Sequence, residues 1–208
     1  MAFMFLSGSL DAQDASNWEQ FKKISRPEKW WVLLHPFIAN KAFRISIEAR
    51  KVTDNISNDR QLDGDPNGGQ IDAFRHTYWM ARLSQEIRPS KARKLGKAHE
   101  KGNKIDFKRH IKEEGTLPDS VSCLMDLLNN ESGIKIGIEN KTADQEILIG
   151  TIRKEIVSGN LKIIKKNIYG YYLTCNNQVL KSEDLNGIWN NAKCLVNSND
   201  TPLKPKQQ

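Results

Sequence analysis

The sequence predicts a mainly α fold, a multi-helix single domain with a small β element near the C-terminus. Three observations carry that expectation. Between residues 37 and 158, apolar side chains recur at helical spacing in segments bounded by proline, glycine or capping residues. After Gly159 the character changes, and Leu161-Lys162-Ile163-Ile164 and Tyr171-Tyr172-Leu173-Thr174 have strand composition. The 208 residues suit one domain, and 38% hydrophobic with 27% charged residues is a globular balance rather than a disordered one.

The elements follow in order. Trp18, Phe21 and Ile24 share one side of a short helix over 14–24. Pro27 opens a new helix carrying Trp30, Trp31, Leu33 and Leu34, and Pro36 interrupts it. A longer helix over 37–56 has the stripe Phe37, Ile38, Ala42, Ile45, Ala49 and Val52. Residues 58–69 are loop, dense in Asp, Asn and Gly. Their alternating acids resemble a calcium loop, but the closing glutamate is missing, so a plain loop is expected. Helices follow over 70–86 (Phe74, Tyr78, Ala81, Leu83), 90–102 (Ala92, Leu95, Ala98), 119–131 and 143–158. In the third of these, Val121, Leu124, Leu127 and Leu128 are expected to face inward. Gly159 ends the fourth as a C-cap. Asn176-Asn177 turns a hairpin into Gln178-Val179-Leu180, and a short helix is expected near 183–193. The domain thus spans 14–195, and 196–208 reads as a polar, disordered tail.

Charge and cysteines narrow the function classes. The chain has 32 basic and 25 acidic residues, a net charge of +7 that favours an anionic polymer or lipid as partner. The densest basic run, from Lys91 to Arg109, carries a single aromatic, Phe107, so it gives no specific nucleic-acid motif and reads as a solvated helix face. No apolar run is long enough for a transmembrane segment. The first residues, Phe3-Met4-Phe5-Leu6 followed by small residues to Ala12, read as a signal-peptide remnant over 1–12, although no basic residue precedes Lys22. Export to a periplasmic or secreted location is therefore expected, with cleavage after Ala12. In that compartment Cys175 and Cys194 could pair, while Cys123 sits in a helical pattern as a buried apolar residue.

Candidate chemistry gathers on three helices. Asp72, Arg75 and His76 stand three and four apart, hence on one helical face. His99 and Asn103 repeat the spacing beside Glu100, and Asp126, Asn129 and Asn130 repeat it again. If these faces converge, three outcomes are open. His76, His99 and Asp126 could hold a divalent metal such as zinc, with Glu100 as general base. A metal-free site could pair a histidine with Asp72 or Asp126, Arg75 binding an anionic group. Or the polar residues form a hydrogen-bonded network that only holds helices together. In either site, the tips of His76, His99 and Asp126 should lie within about 10 Å of each other, as shared first or second shells require. His35, at the proline break, reads as structural, and His110, in the basic run, as solvated.

The string Gly69-Gln70-Ile71-Asp72-Ala73-Phe74-Arg75-His76-Thr77-Tyr78-Trp79, then Ala98-His99-Glu100, then Met125-Asp126-Leu127-Leu128-Asn129-Asn130 with Gly133, resembles a family of uncharacterised bacterial helical domains, often in exported or toxin-like proteins. The resemblance covers about residues 66–160 and implies a helical domain. Its signature points to Asp72, Arg75, His76, His99, Glu100, Asp126 and Asn130 as the site. It implies no established activity. The leading expectation is a hydrolase-like activity at the three-helix site; the alternative is a non-catalytic secreted binding or structural domain.

Overall fold

The computed structural model describes residues 21–112 and 116–201. The signal-like segment over 1–12 and most of the helix expected over 14–24 lie outside the described residues. The described elements run α1 (Arg26–Leu34), α2 (Pro36–Ile56), α3 (Gln70–Glu86), α4 (Pro89–Lys108), α5 (Ser120–Glu139), α6 (Gln145–Val157), β1 (Lys162–Ile164), α7 (Ser182–Leu185) and β2 (Leu195–Asn197). The fold is mainly helical with one two-stranded antiparallel sheet, in which Ile163 stands opposite Val196.

Local chemistry sets the helix starts. Ser25 and Glu28 form a capping box at α1: the Ser25 N–H donates to Glu28 Oε2 at 2.8 Å. Pro36 occupies the first turn of α2, where its missing N–H has no partner to lose. Asp119 caps α5 and Asp144 caps α6 through their carboxylates. Gly159, at φ +80°, lets the chain leave α6 for β1.

The core surrounds α3, which packs against α2, α4, α5 and α6. One apolar group joins Val52, Phe74, Tyr78, Leu148, Ile152 and Ile156; another joins Trp31, Ile45, Met80, Leu83, Leu95 and Ile134. The closest approach is between α3 and α5. A Cβ on Gly133 would strike the Thr77 carbonyl, and one on Gly137 the Ala81 carbonyl. Glycine is unfavourable in a helix interior, and here it lets two backbones touch.

That approach corrects one expectation. Leu124 and Leu128 are exposed, not inward. The glycines turn Met125, Asp126, Asn129 and Asn130 inward, so the leucines share the outer face with Glu131 and Lys135. Phe37 likewise leaves the stripe of α2 and stands almost wholly in solvent, while Ala42, Ile45, Ala49 and Val52 are buried as the period requires.

The C-terminal part is less regular than its composition suggests. The strand expected over 171–174 provides only isolated bridges, Lys166 with Tyr172 and Leu173 with Val179. Asn177, at φ 64°, turns the chain between them. The helix expected near 183–193 is the single turn α7. Cys175 and Cys194 are joined as a disulfide, and Cys123 is a buried free thiol. Order continues past residue 196, where a disordered tail was expected: β2 reaches Asn197, and the Ser198 hydroxyl is buried and donates to Ile156 O at 2.7 Å. No helix among the described residues is long and apolar enough to cross a membrane.

Candidate functional site

The site begins in the loop before α3. Asp63 Oδ1 accepts the Asp65 N–H at 2.8 Å and the Gln70 N–H at 3.0 Å; Asp65 Oδ1 accepts the Asn67 N–H at 3.0 Å. Lys166 Nζ bonds Asp65 Oδ2 at 2.5 Å and Asn67 O at 2.7 Å. The acids are spent on turning the chain and on a lysine, which fits the plain-loop expectation rather than a calcium loop. Gly68 then takes φ +86°, which is where glycine is favoured. Its N–H donates to Asp72 Oδ2 at 2.7 Å and its carbonyl accepts the Ile164 N–H at 2.7 Å, so β1, the loop and α3 are fastened at one residue.

Asp72 lies in the first turn of α3, where a negative charge suits the helix dipole. Its Oδ1 accepts from Arg75 Nη2 at 2.5 Å and lies 3.5 Å from His76 Nε2. From α5, Asp126 Oδ1 lies 3.4 Å from the same nitrogen. One imidazole nitrogen therefore faces carboxylates of two helices. All three residues are buried, and one donor atom from each falls within 4.8 Å of the others.

The remaining expected residues divide. His99 comes near, its ring 6.3 Å from that of His76, so the expected closeness of His76 to both Asp126 and His99 is met. Yet His99 Nδ1 lies 3.1 Å from Glu28 Oε1, and the ring stands edge-on to Trp79. Asp72, not His99, completes the three-residue group, so the set His76, His99 and Asp126 is gathered in two of its members. Glu100 is buried one turn from Asn103, whose Nδ2 donates to its Oε2 at 3.1 Å. Burial, and next the charge of Glu100, with which it hydrogen-bonds, push the Cys123 thiol far above its usual range, so it is inert as a nucleophile. Asn130 is buried against Gly96, and its amide finds no hydrogen-bond partner among the described residues. Asn129 instead pins β1: it exchanges both amide bonds with the Lys162 backbone at 2.9 Å.

Several participants were not singled out from sequence. Burial alone would raise the Glu28 carboxyl, but hydrogen bonds from His99 and Ser25, with the His99 charge, outweigh it and hold the group below its ordinary value. The pattern Ser25-x-x-Glu28 is visible as a capping box, yet its contact with His99 spans 71 positions and leaves no local trace. Tyr172 lies between Lys166 and Lys193, 4.6 and 3.9 Å from its ring centre. Burial, then the charges of Asp65, Asp119 and Asp72, push its phenol upward, so it stays protonated.

Two clefts meet at the cluster. One, of about 40 Å³, is lined by Gly68, Asp72, Arg75, Asp126, Tyr172 and Lys193. The other, of about 190 Å³, has apolar walls of Phe43, Ile47 and Trp79 and a polar side of His76, His99 and Glu28. Arg75 borders both.

The profile of a family described as a domain of unknown function, DUF6973, matches residues 29–160. The chain belongs to the DUF6973 family. The match takes in most of α1 and all of α2, well before the motifs between 66 and 160, and it ends at Asn160. Within this DUF6973 chain, β1, β2 and the disulfide lie beyond the family region. No curated protein and no solved structure matches the chain.

Proposed function

We propose that this DUF6973 chain is an exported, non-catalytic binding domain for an anionic partner, and that Asp72, His76 and Asp126 are a buried charge network joining α3 to α5. One observation carries the reading of the network. Its members are buried and already engaged within the fold: Asp72 by the Gly68 N–H and Arg75, His76 by carboxylates from both helices. Such a network resists the helices sliding past one another, because every displacement strands a buried charge. The Cys175–Cys194 bond supports an oxidising compartment, as does the apolar stretch 3–6 followed by small residues. The net charge of +7 supports an anionic polymer or lipid as partner.

A second reading has its own observation. Donor atoms within 4.8 Å of one another, two from carboxylates and one from an imidazole, suit a divalent cation such as zinc. Such an ion would supply a Lewis acid and an activated water. Arg75 would then hold an anionic substrate, with His99, oriented by Glu28 across the larger cleft, as acid or base.

Asp72→Asn and His76→Ala, compared on an immobilised polyphosphate and in thermal melts, separate the two. Under the binding-domain reading both lower the melting temperature and leave salt-dependent retention unchanged. Loss of a measured hydrolytic activity together with a bound metal would support the hydrolase.

A further inference from the structure

The corner between α1 and α2 is built unlike the rest of the surface. Trp30, Leu33 and Leu34 on α1 are 57%, 60% and 72% exposed, and Phe37 on the first turn of α2 is 99% exposed. Scattered apolar residues on a surface need no account, but four large ones within eight positions do. They are not loosely held. Trp31 beside them is buried, with Nε1 donating to Lys91 O at 3.1 Å. His35 at the apex bonds Trp31 O through Nδ1 and Lys91 Nζ through Nε2, both at 2.8 Å. The backbone under the patch is thus fastened to α4, and the apolar tips project from a rigid base.

Charge surrounds this apex in a definite order. On α1, Arg26 stands four residues before Trp30 and seven before Leu33, on the same face. On α2, Lys41 and Arg44 stand four and seven residues after Phe37, again on its face. Arg26, Lys41 and Arg44 are exposed. The one acid between residues 21 and 47, Glu28, is turned inward to Ser25 and His99. Lys41 has a carboxylate neighbour, Glu86 at 3.1 Å, across the edge of α3.

We propose that this corner is a membrane-surface anchor, with Trp30, Leu33, Leu34 and Phe37 entering the headgroup and upper acyl region of an anionic lipid bilayer and Arg26, Lys41 and Arg44 lying among its headgroups. The proposal rests on the reading of the chain as a binder of an anionic partner, and names that partner as a lipid surface. Three features favour lipid over a protein groove. The patch is convex, since almost nothing flanks Phe37. A tryptophan sits where the apolar tip gives way to charge, the position that suits an indole at a membrane interface. The cations ring the apolar tip instead of forming a separate field, which is how an interfacial helix combines apolar burial with attraction to anionic lipid.

The test is co-sedimentation of the full chain with vesicles of phosphatidylcholine, with and without phosphatidylglycerol, alongside retention on soluble-phase polyphosphate. Leu34→Ser with Phe37→Ser is compared with the parent and with Lys97→Glu plus Lys101→Glu on the outer face of α4. Thermal melts check that the corner variant folds, as exposed positions allow. The expected result is binding to phosphatidylglycerol vesicles alone, weakened at least about tenfold by the corner substitutions, since several buried apolar groups are lost. Tryptophan emission should be quenched by lipids brominated on the acyl chain. Vesicle binding that tracks the α4 lysines and ignores the corner would overturn the anchor. So would polyphosphate binding without vesicle binding, which leaves the anionic-partner reading standing, whereas failure of both removes that reading too. Self-association abolished by Phe37→Ser, without vesicle binding, would make the corner a protein contact and also overturn it.

Discussion

Two groups of carboxylates flank the start of α3, and they are neutralised in different ways. In the loop, Asp63 and Asp65 accept backbone N–H groups of their own segment, and Lys166 supplies the balancing charge from after β1. In the cluster, Asp72 and Asp126 belong to different helices and share one imidazole, with Arg75 beside them. The loop acids shape a turn, so their failure has local consequences. The cluster bridges the tightest helix contact of the molecule, so its failure reaches the core. The same side-chain chemistry is a turn device in one place and a clamp in the other because of what each carboxylate is attached to.

Removing the imidazole is the sharpest way to break that comparison. His76→Ala leaves two buried carboxylates facing each other and should cost about 3–5 kcal/mol, read by urea unfolding. A cost below that of Lys166→Met would erase the distinction. Gly133→Ala acts on the contact itself: its methyl meets the Thr77 carbonyl and should cost about 1–3 kcal/mol, although alanine is the better helix former. Lys166→Met tests the loop. It removes two bonds but leaves Asp65 part-exposed, and about 1.5 kcal/mol is expected.

The smallest effect lies outside both groups and sharpens the contrast through pH. The Glu28 carboxyl is held below its ordinary value of 4.5, so the unfolded chain binds that proton more readily than the folded one. Its contribution to stability is complete above pH 4.5 and falls as the pH drops through the lowered folded value. Glu28→Gln should therefore flatten the acid limb of a melting-temperature profile. An acid limb with unaltered slope would mean that the His99 contact carries no stability.

What the sequence makes legible follows from range. Asp72 and His76 are one turn apart on one helix, so their adjacency is a local fact, and Phe74, Tyr78, Ala81 and Leu83 are buried as the helical period of α3 requires. The approach of Asp126 could be anticipated from its matching face but depends on Gly133 and Gly137, whose role appears only when α5 meets α3. For the same reason the leucines of α5 mislead: periodicity marks an apolar face, and here the tighter contact chose the polar one. Glu28 could not be paired with His99 by any spacing rule. Residues 171–174 have strand composition, but they pair only through isolated bridges to Lys166 and Val179.

The central claim is that the cluster is a charge network complete in itself. The most direct measurement is the melting temperature of the purified chain before and after exhaustive chelation, with metal content determined on both samples. A network complete in itself predicts a shift below about 2 °C, less than roughly 1 kcal/mol for a chain of this size. One equivalent of a divalent metal in the untreated protein, with a drop of more than about 10 °C on its removal, would show that Asp72, His76 and Asp126 hold an ion whose binding stabilises the fold, and would contradict the account.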